Sequence, residues 1–248
     1  GGIEVRIYEF DSINGALNQK DTIAHGATVN TVGWSPNGRF LAIGGSGGTD
    51  GAHIGLYSFD RISNVVTEID RVIFTITNSV VWNHEGTKLG VGSSTGASAS
   101  NGVNIYAFDS TTLKLGAIIA ATGGALSISN EVAWSPDDKF LAVAKSSLSN
   151  SLEIYEVSES SAELVTLAAQ SSGVGAAVKW SNNGRFLAFR ANLDVIVYYF
   201  DRANGTVEVL ASVGALPVGS SKEDVDWSLD GECIAYSETP SVSGFTLV

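Results

Sequence analysis

Apolar and polar positions in this chain recur in blocks of four short segments. The first segment, such as Val29–Trp34 ("VNTVGW"), ends on a tryptophan and meets a polar turn. The second, Phe40–Gly45 ("FLAIGG"), is apolar or small at every position. A Gly/Ser-rich stretch then leads to a third, His53–Asp60 ("HIGLYSFD"), and to a fourth, Val65–Phe74 ("VVTEIDRVIF"), which alternates apolar with polar. Strict alternation predicts a half-solvated strand, and a short continuous apolar run predicts a strand covered on both faces. No long amphipathic helix is expected anywhere. Pro, Asn, Asp and Gly in the connecting "SPNG", "SPDD", "SNNG" and "SLDG" predict tight hairpin turns.

The block is written five times. "VGWSPNGRFLAIGG" from Val32 returns as "VVWNHEGTKLGVGS" from Val80, "VAWSPDDKFLAVAK" from Val132, "VKWSNNGRFLAFRA" from Val178 and "VDWSLDGECIAYSE" from Val225. Its tryptophans, Trp34, Trp82, Trp134, Trp180 and Trp227, stand 48, 52, 46 and 47 residues apart. A second mark keeps step: Tyr8, Tyr57, Tyr106, Tyr155 and Tyr198, spaced 49, 49, 49 and 43. Four of these open a Tyr-x-Phe-Asp tetrapeptide, which decays to "YEVS" at Tyr155. Both marks are expected to pack between neighbouring units. A four-stranded antiparallel unit covered on both faces needs a like unit on each side, and radial stacking of such units makes a β-propeller with its poorest strand on the rim.

The segment "TVNTVGWSPNGRFLAIGGSGGTDGAHIGLYSFD" resembles the repeat of the WD family of propellers, and the likeness runs through nearly the whole chain. It implies an all-β propeller of four-stranded antiparallel blades. Five blades are expected, the alternative being part of a six- or seven-bladed ring. The family's Trp-Asp pair is replaced here by Tyr57-Ser58, Tyr106-Ala107, Tyr155-Glu156 and Tyr198-Tyr199, so blade packing is expected to rest more on apolar contacts. Residues 1–248 read as a single domain. Its last blade is expected to take strands three and four from residues 3–25, closing the ring and leaving Phe245–Val248 for self-assembly.

Composition narrows the function classes. The formal net charge of −12, with 14 scattered basic residues, argues against a nucleic-acid partner. No run approaches a membrane span, and no signal peptide is visible within the chain. The chain has no methionine, which points to processing or to an excerpt of a longer product. The single cysteine, Cys233, stands in the apolar run "CIAY" and is expected to be buried. His25, His53 and His84 fall in different repeats without metal-ligand spacing, so no metal or cofactor is expected.

Candidate binding residues lie where variable loops meet the innermost strand, because variable loops on a rigid scaffold are where binding concentrates. Four residues before each tryptophan stand Asn30, Asn78, Asn130, Ala176 and Glu223, and His53, Lys145, Arg190 and Asp194 lie in or beside the adjacent loops. A cap on the loop-to-strand turn is the alternative role for the asparagines. The expected function is a non-enzymatic scaffold for a protein partner. A carbohydrate-binding propeller is the first rival, its partner a glycan. A glycosidase-like enzyme is the second, and it requires acids converging on the axis from different blades, whereas Glu223, Asp224 and Asp226 cluster in one.

Overall fold

The computed structural model describes residues 3–26, 28–47, 51–73, 76–94, 102–122, 128–147, 150–158, 165–170, 173–191, 194–214 and 224–237. Among them are twenty strands and no helix. The first blade is formed by β3 (Val29–Trp34), β4 (Phe40–Gly45), β5 (Ala52–Asp60) and β6 (Val65–Ile73), and the second by β7 (Thr77–Trp82), β8 (Lys88–Ser93), β9 (Val103–Asp109) and β10 (Lys114–Ala121). The third consists of β11 (Ser129–Trp134), β12 (Phe140–Lys145), β13 (Leu152–Glu156) and β14 (Val165–Gln170). The fourth consists of β15 (Gly175–Trp180), β16 (Phe186–Ala191), β17 (Asp194–Asp201) and β18 (Thr206–Val213). Two half-blades flank them: β1 (Glu4–Asp11) with β2 (Ala16–Ala24), and β19 (Val225–Trp227) with β20 (Ile234–Tyr236).

Every sheet is an antiparallel meander, and one register recurs: Leu41 faces Tyr57, Leu89 faces Tyr106, Leu141 faces Tyr155 and Leu187 faces Tyr198. The hairpin after each tryptophan is built the same way. Ser35 accepts the Gly38 amide on its carbonyl at 2.8 Å and the Phe40 amide on Oγ at 2.9 Å, with Gly38 at φ 64°. The aspartate closing each Tyr-x-Phe-Asp has an equally local task. Asp11, Asp60, Asp109 and Asp201 each accept the amide two residues on, at 2.8–2.9 Å, and each also bonds the side chain three residues on, tying the turn to the fourth strand. At Asn204-Gly205 the turn role of the asparagine is met by this bond and by Gly205 at φ 64°.

Blades are joined along their inner strands. Each indole N–H donates to a carbonyl of the preceding blade: Trp82 to Gly33, Trp134 to Val81, Trp180 to Ala133 and Trp227 to Lys179, at 3.1–3.2 Å. The approach is close: a Cβ added at Gly33 would stand 3.0 Å from the Val80 carbonyl oxygen. Trp82, Trp134 and Trp180 are 4–8% exposed, whereas Trp34 is 43% exposed. Along the rim, Asp21 accepts the Val66 amide at 3.1 Å and Asp70 accepts the Leu115 amide at 2.9 Å. The half-blade β1–β2 therefore holds the place of a blade preceding the first, and Ile7 and Ile23 pack with Leu41, Ile43 and Tyr57.

Among the described residues β1–β2 and β19–β20 are separate two-stranded sheets, with four four-stranded blades between them. Indole bonds and close backbone approaches set the spacing between blades, and that spacing, not strand supply, decides whether two ends meet. Cys233 is exposed rather than buried. Its counterparts Phe40 and Phe186 lie against Trp82 and Trp227 of the next blade, and no next blade stands beside Cys233 among the described residues. Phe245–Val248 lie outside the described residues.

Candidate functional site

Three of the expected binding residues hold neighbouring blades together. The side-chain amides of Asn30, Asn78 and Asn130 donate to the carbonyls of Thr77, Ser129 and Gly175 in the next blade, at 3.1, 3.1 and 2.6 Å. Asn78 and Asn130 also donate to Ser94 and Ser146 at 2.9 and 2.8 Å, fastening the loop that follows their own second strand. Lys145 is paired with Glu153 at 2.8 Å, and Glu153 also accepts the Tyr155 hydroxyl. The Arg190 guanidinium is fully buried and donates to the carbonyls of Ala191 and Asp194, folding over its own hairpin. His53 lies against Gly47 within the first blade's loop, and Glu223 is outside the described residues.

A different set converges. On the first three inner strands, the residue three before the tryptophan accepts an amide from the next blade: Thr31 from Val80 and Ser79 from Val132, both at 3.3 Å, and Glu131 from Val178 at 2.8 Å. In the third blade that acceptor is a carboxylate, and its other oxygen meets the Lys179 ammonium at 2.5 Å. Asp226 on the fifth inner strand and Asp224 just before it complete the electrostatic group. One cation and three carboxylates thus come from three successive inner strands.

Their titration follows from this crowding. Burial pushes the Glu131 carboxyl above its ordinary value, partly opposed by Lys179 and by the Val178 amide, and Asp224 raises it further. Burial works against the charge on Lys179, but Glu131, Asp224 and Asp226 outweigh it and hold the ammonium above its usual value. The Lys179 and Glu131 side chains are 33% and 19% exposed, so solvent reaches the pair. A persistent cation beside a carboxyl disposed to keep its proton is an arrangement suited to acid–base chemistry. These residues occupy the third and first positions before their tryptophans. Comparing the repeats column by column at those positions is the signal that finds them.

Comparison with known proteins bears on the fold. Residues 18–51 match the family model described as WD domain, G-beta repeat. No curated protein matches the chain by sequence. Among solved structures, the periplasmic gluconolactonase of Pseudomonas aeruginosa superposes with a TM-score of 0.69 at 17% identity, over 93% of this chain and 70% of that one. Hydrazine synthase of Kuenenia stuttgartiensis gives 0.62 at 21%, over 90% and 61%. A functionally unknown protein of Desulfotomaculum acetoxidans gives 0.73 at 14%, over 95% and 73%. These findings correct the expectation of a non-enzymatic protein scaffold. The first of these structures is an enzyme on the same fold, and the matched repeat is compatible with a scaffold without being specific to one. No helix among the described residues is long and apolar enough to cross a membrane. With four four-stranded blades among its described residues and its sheets superposed on larger structures, the chain has a β-propeller fold, and residues 18–51 within it are similar to the WD domain, G-beta repeat.

Proposed function

We propose that the inner-strand group of Glu131, Lys179 and Asp226 is the acid–base centre of a hydrolase acting on a small cyclic ester. The observation that carries this reading is the convergence of one ammonium and several carboxylates from three successive blades. The shared architecture with a gluconolactonase supports the choice of ester class. Lys179, kept charged by its carboxylate neighbours, takes the negative charge that develops on the ester carbonyl oxygen. Asp226, exposed on the fifth inner strand, accepts a proton from water as the water oxygen bonds to the carbonyl carbon. The ring C–O bond then breaks, the leaving alkoxide takes that proton, and a hydroxy acid results. Glu131 is a positioning residue that holds the Lys179 ammonium from the third blade.

The test is base uptake at constant pH with glucono-1,5-lactone and a set of smaller aldonolactones, corrected for spontaneous opening. Lys179→Met and Asp226→Asn are each expected to lower kcat/KM by about 10²-fold or more, in line with the share of a single acid–base or oxyanion group. Glu131→Gln should lower kcat and shift the pH profile while leaving KM near its original value. Wild-type protein that never exceeds the spontaneous rate, or a Lys179→Met variant that turns over normally, overturns the reading.

A further inference from the structure

The residue two before the marker tyrosine differs in each full blade: Gly55, Asn104, Glu153 and Ile196. In the third blade it is a buried carboxylate whose needs are met. Glu153, 7% exposed, holds the Lys145 ammonium at 2.8 Å and accepts the Tyr155 hydroxyl. In the second blade the tyrosine is kept as Tyr106, but the glutamate becomes Asn104 and the register position of Lys145 is taken by Ser93. Asn104 is fully buried, and neither its side-chain oxygen nor its nitrogen has a hydrogen-bond partner among the described residues. A buried amide left unmet carries its full desolvation penalty, which is why buried polar side chains are almost always partnered.

Register places this amide between two blades. Asn104 faces Val91 across the ladder and shares its side of β9 with Tyr106, two residues on. Val91 and Tyr106 both pack with Ala42, Ile54 and Leu56 of the first blade, whereas Val103 and Ile105, on the opposite side, pack toward the third. Beside Asn104 the second blade is short of bulk. Ser93, on the same face as Val91 and itself fully buried, ends in one hydroxyl where Lys145 extends three methylenes and an ammonium beyond its Cβ. We propose that a water molecule is held there, between the first and second blades, donating to Asn104 Oδ1 and accepting from Asn104 Nδ2, in the place that the Lys145 head group takes in the third blade.

Water is the ligand whose chemistry matches the two atoms. One of them needs a donor and the other an acceptor, and water is both; a buried water takes about 2–4 polar partners. By the register of the repeat, the Tyr106 hydroxyl supplies a further one, standing where the Tyr155 hydroxyl meets Glu153. Burial pushes the Tyr106 phenol up to about 12, so it keeps its proton at neutral pH. A metal or ammonium ion would satisfy Oδ1 alone. With asparagine where the third blade has glutamate, no carboxylate at this position offsets the burial of a charge. One interface is thus bridged by solvent where the next is bridged by an ion pair.

Deuterium relaxation dispersion of the solvent counts long-lived internal waters and supplies the test. The wild type is expected to hold one such water more than Asn104→Leu, whose apolar side chain of similar size gives water nothing to bond. Ser93→Lys combined with Asn104→Glu installs the third blade's pair and should lose the same water. An equal count in wild type and Asn104→Leu, or retention of the water in the double variant, overturns the proposal. A crystal structure of the wild type is the second arm and depends on no variant folding. It should show a solvent peak within about 3.2 Å of both amide atoms of Asn104. An Asn104 amide bonded to protein groups instead would show that no ligand is held. A wild-type melting temperature that climbs with ammonium or sodium at fixed ionic strength, while that of Asn104→Leu does not, would assign the position to a cation. Either result also overturns the proposal.

Discussion

The aspartate of Tyr-x-Phe-Asp shows how much one side chain settles. Asp11, Asp60 and Asp201 are held below the ordinary value of 3.8 first by the side chains of Asn14, Ser63 and Asn204, and Asp109 first by the Thr111 amide. A carboxyl whose folded value is depressed contributes stability that is fully present above its unfolded value and is lost as pH falls through the folded one. The melting temperature should therefore fall on acidification below about pH 4, and a variant with all four aspartates changed to Asn should lose less over that window, read by calorimetry. The asparagine straps set a second expectation. Asn78→Ala and Asn130→Ala each remove bonds to the next blade and to the adjacent loop, and each should lower stability by about 1–2 kcal/mol in urea titration. An unchanged midpoint would return these residues to a binding role.

At the scale of elements, the second strands β4, β8, β12 and β16 are buried along most of their length, while fourth strands such as β6 and β18 are mostly exposed. The continuous-run and alternating patterns in the sequence are the direct imprint of that difference, because only a strand with a blade on each side loses solvent from both faces. The tryptophans separate pattern from environment. Trp180 is 8% exposed, contacts Phe200 edge-on at 5.4 Å and bonds the preceding blade. Trp34 carries the same sequence mark but is 43% exposed. Trp180→Ala should cost about 3–5 kcal/mol, as large core truncations do. Trp34→Ala should cost well under half of that in the monomer. Equal losses would mean that Trp34 is covered in solution.

At the scale of the molecule, stability is a sum of blades and nearest-neighbour interfaces, as in other repeat architectures. Blades two and three have complete neighbours on both sides, whereas each half-blade has one. Hydrogen exchange should be slowest in β8 and β12 and fastest in β1–β2 and β19–β20, with the first and fourth blades between. Uniform protection from β1 to β20 would show that the two halves are joined.

Period, strand order, the hairpin turns and the register mark at tyrosine were all legible in the linear chain. Each depends on neighbours within about one block, and Val, Trp, Gly and Asp at fixed offsets state those local requirements directly. Contacts between blades were not legible to the same degree. That Asn30, Asn78 and Asn130 bond the next blade depends on a carbonyl some 45–51 residues away. That Glu131 and Lys179 meet, with Asp224 and Asp226 beside them, depends on how three inner strands lie against one another, since nothing local to "SNEVAW" or "AAVKW" distinguishes a solvated charge from a buried partner. Closure depended least on the chain's own pattern. β1–β2 and β19–β20 have the right strands to make one blade, and whether they meet is decided by the rotation accumulated from blade to blade, a quantity that packing at Gly33, Trp82 and their counterparts sets and no single repeat contains.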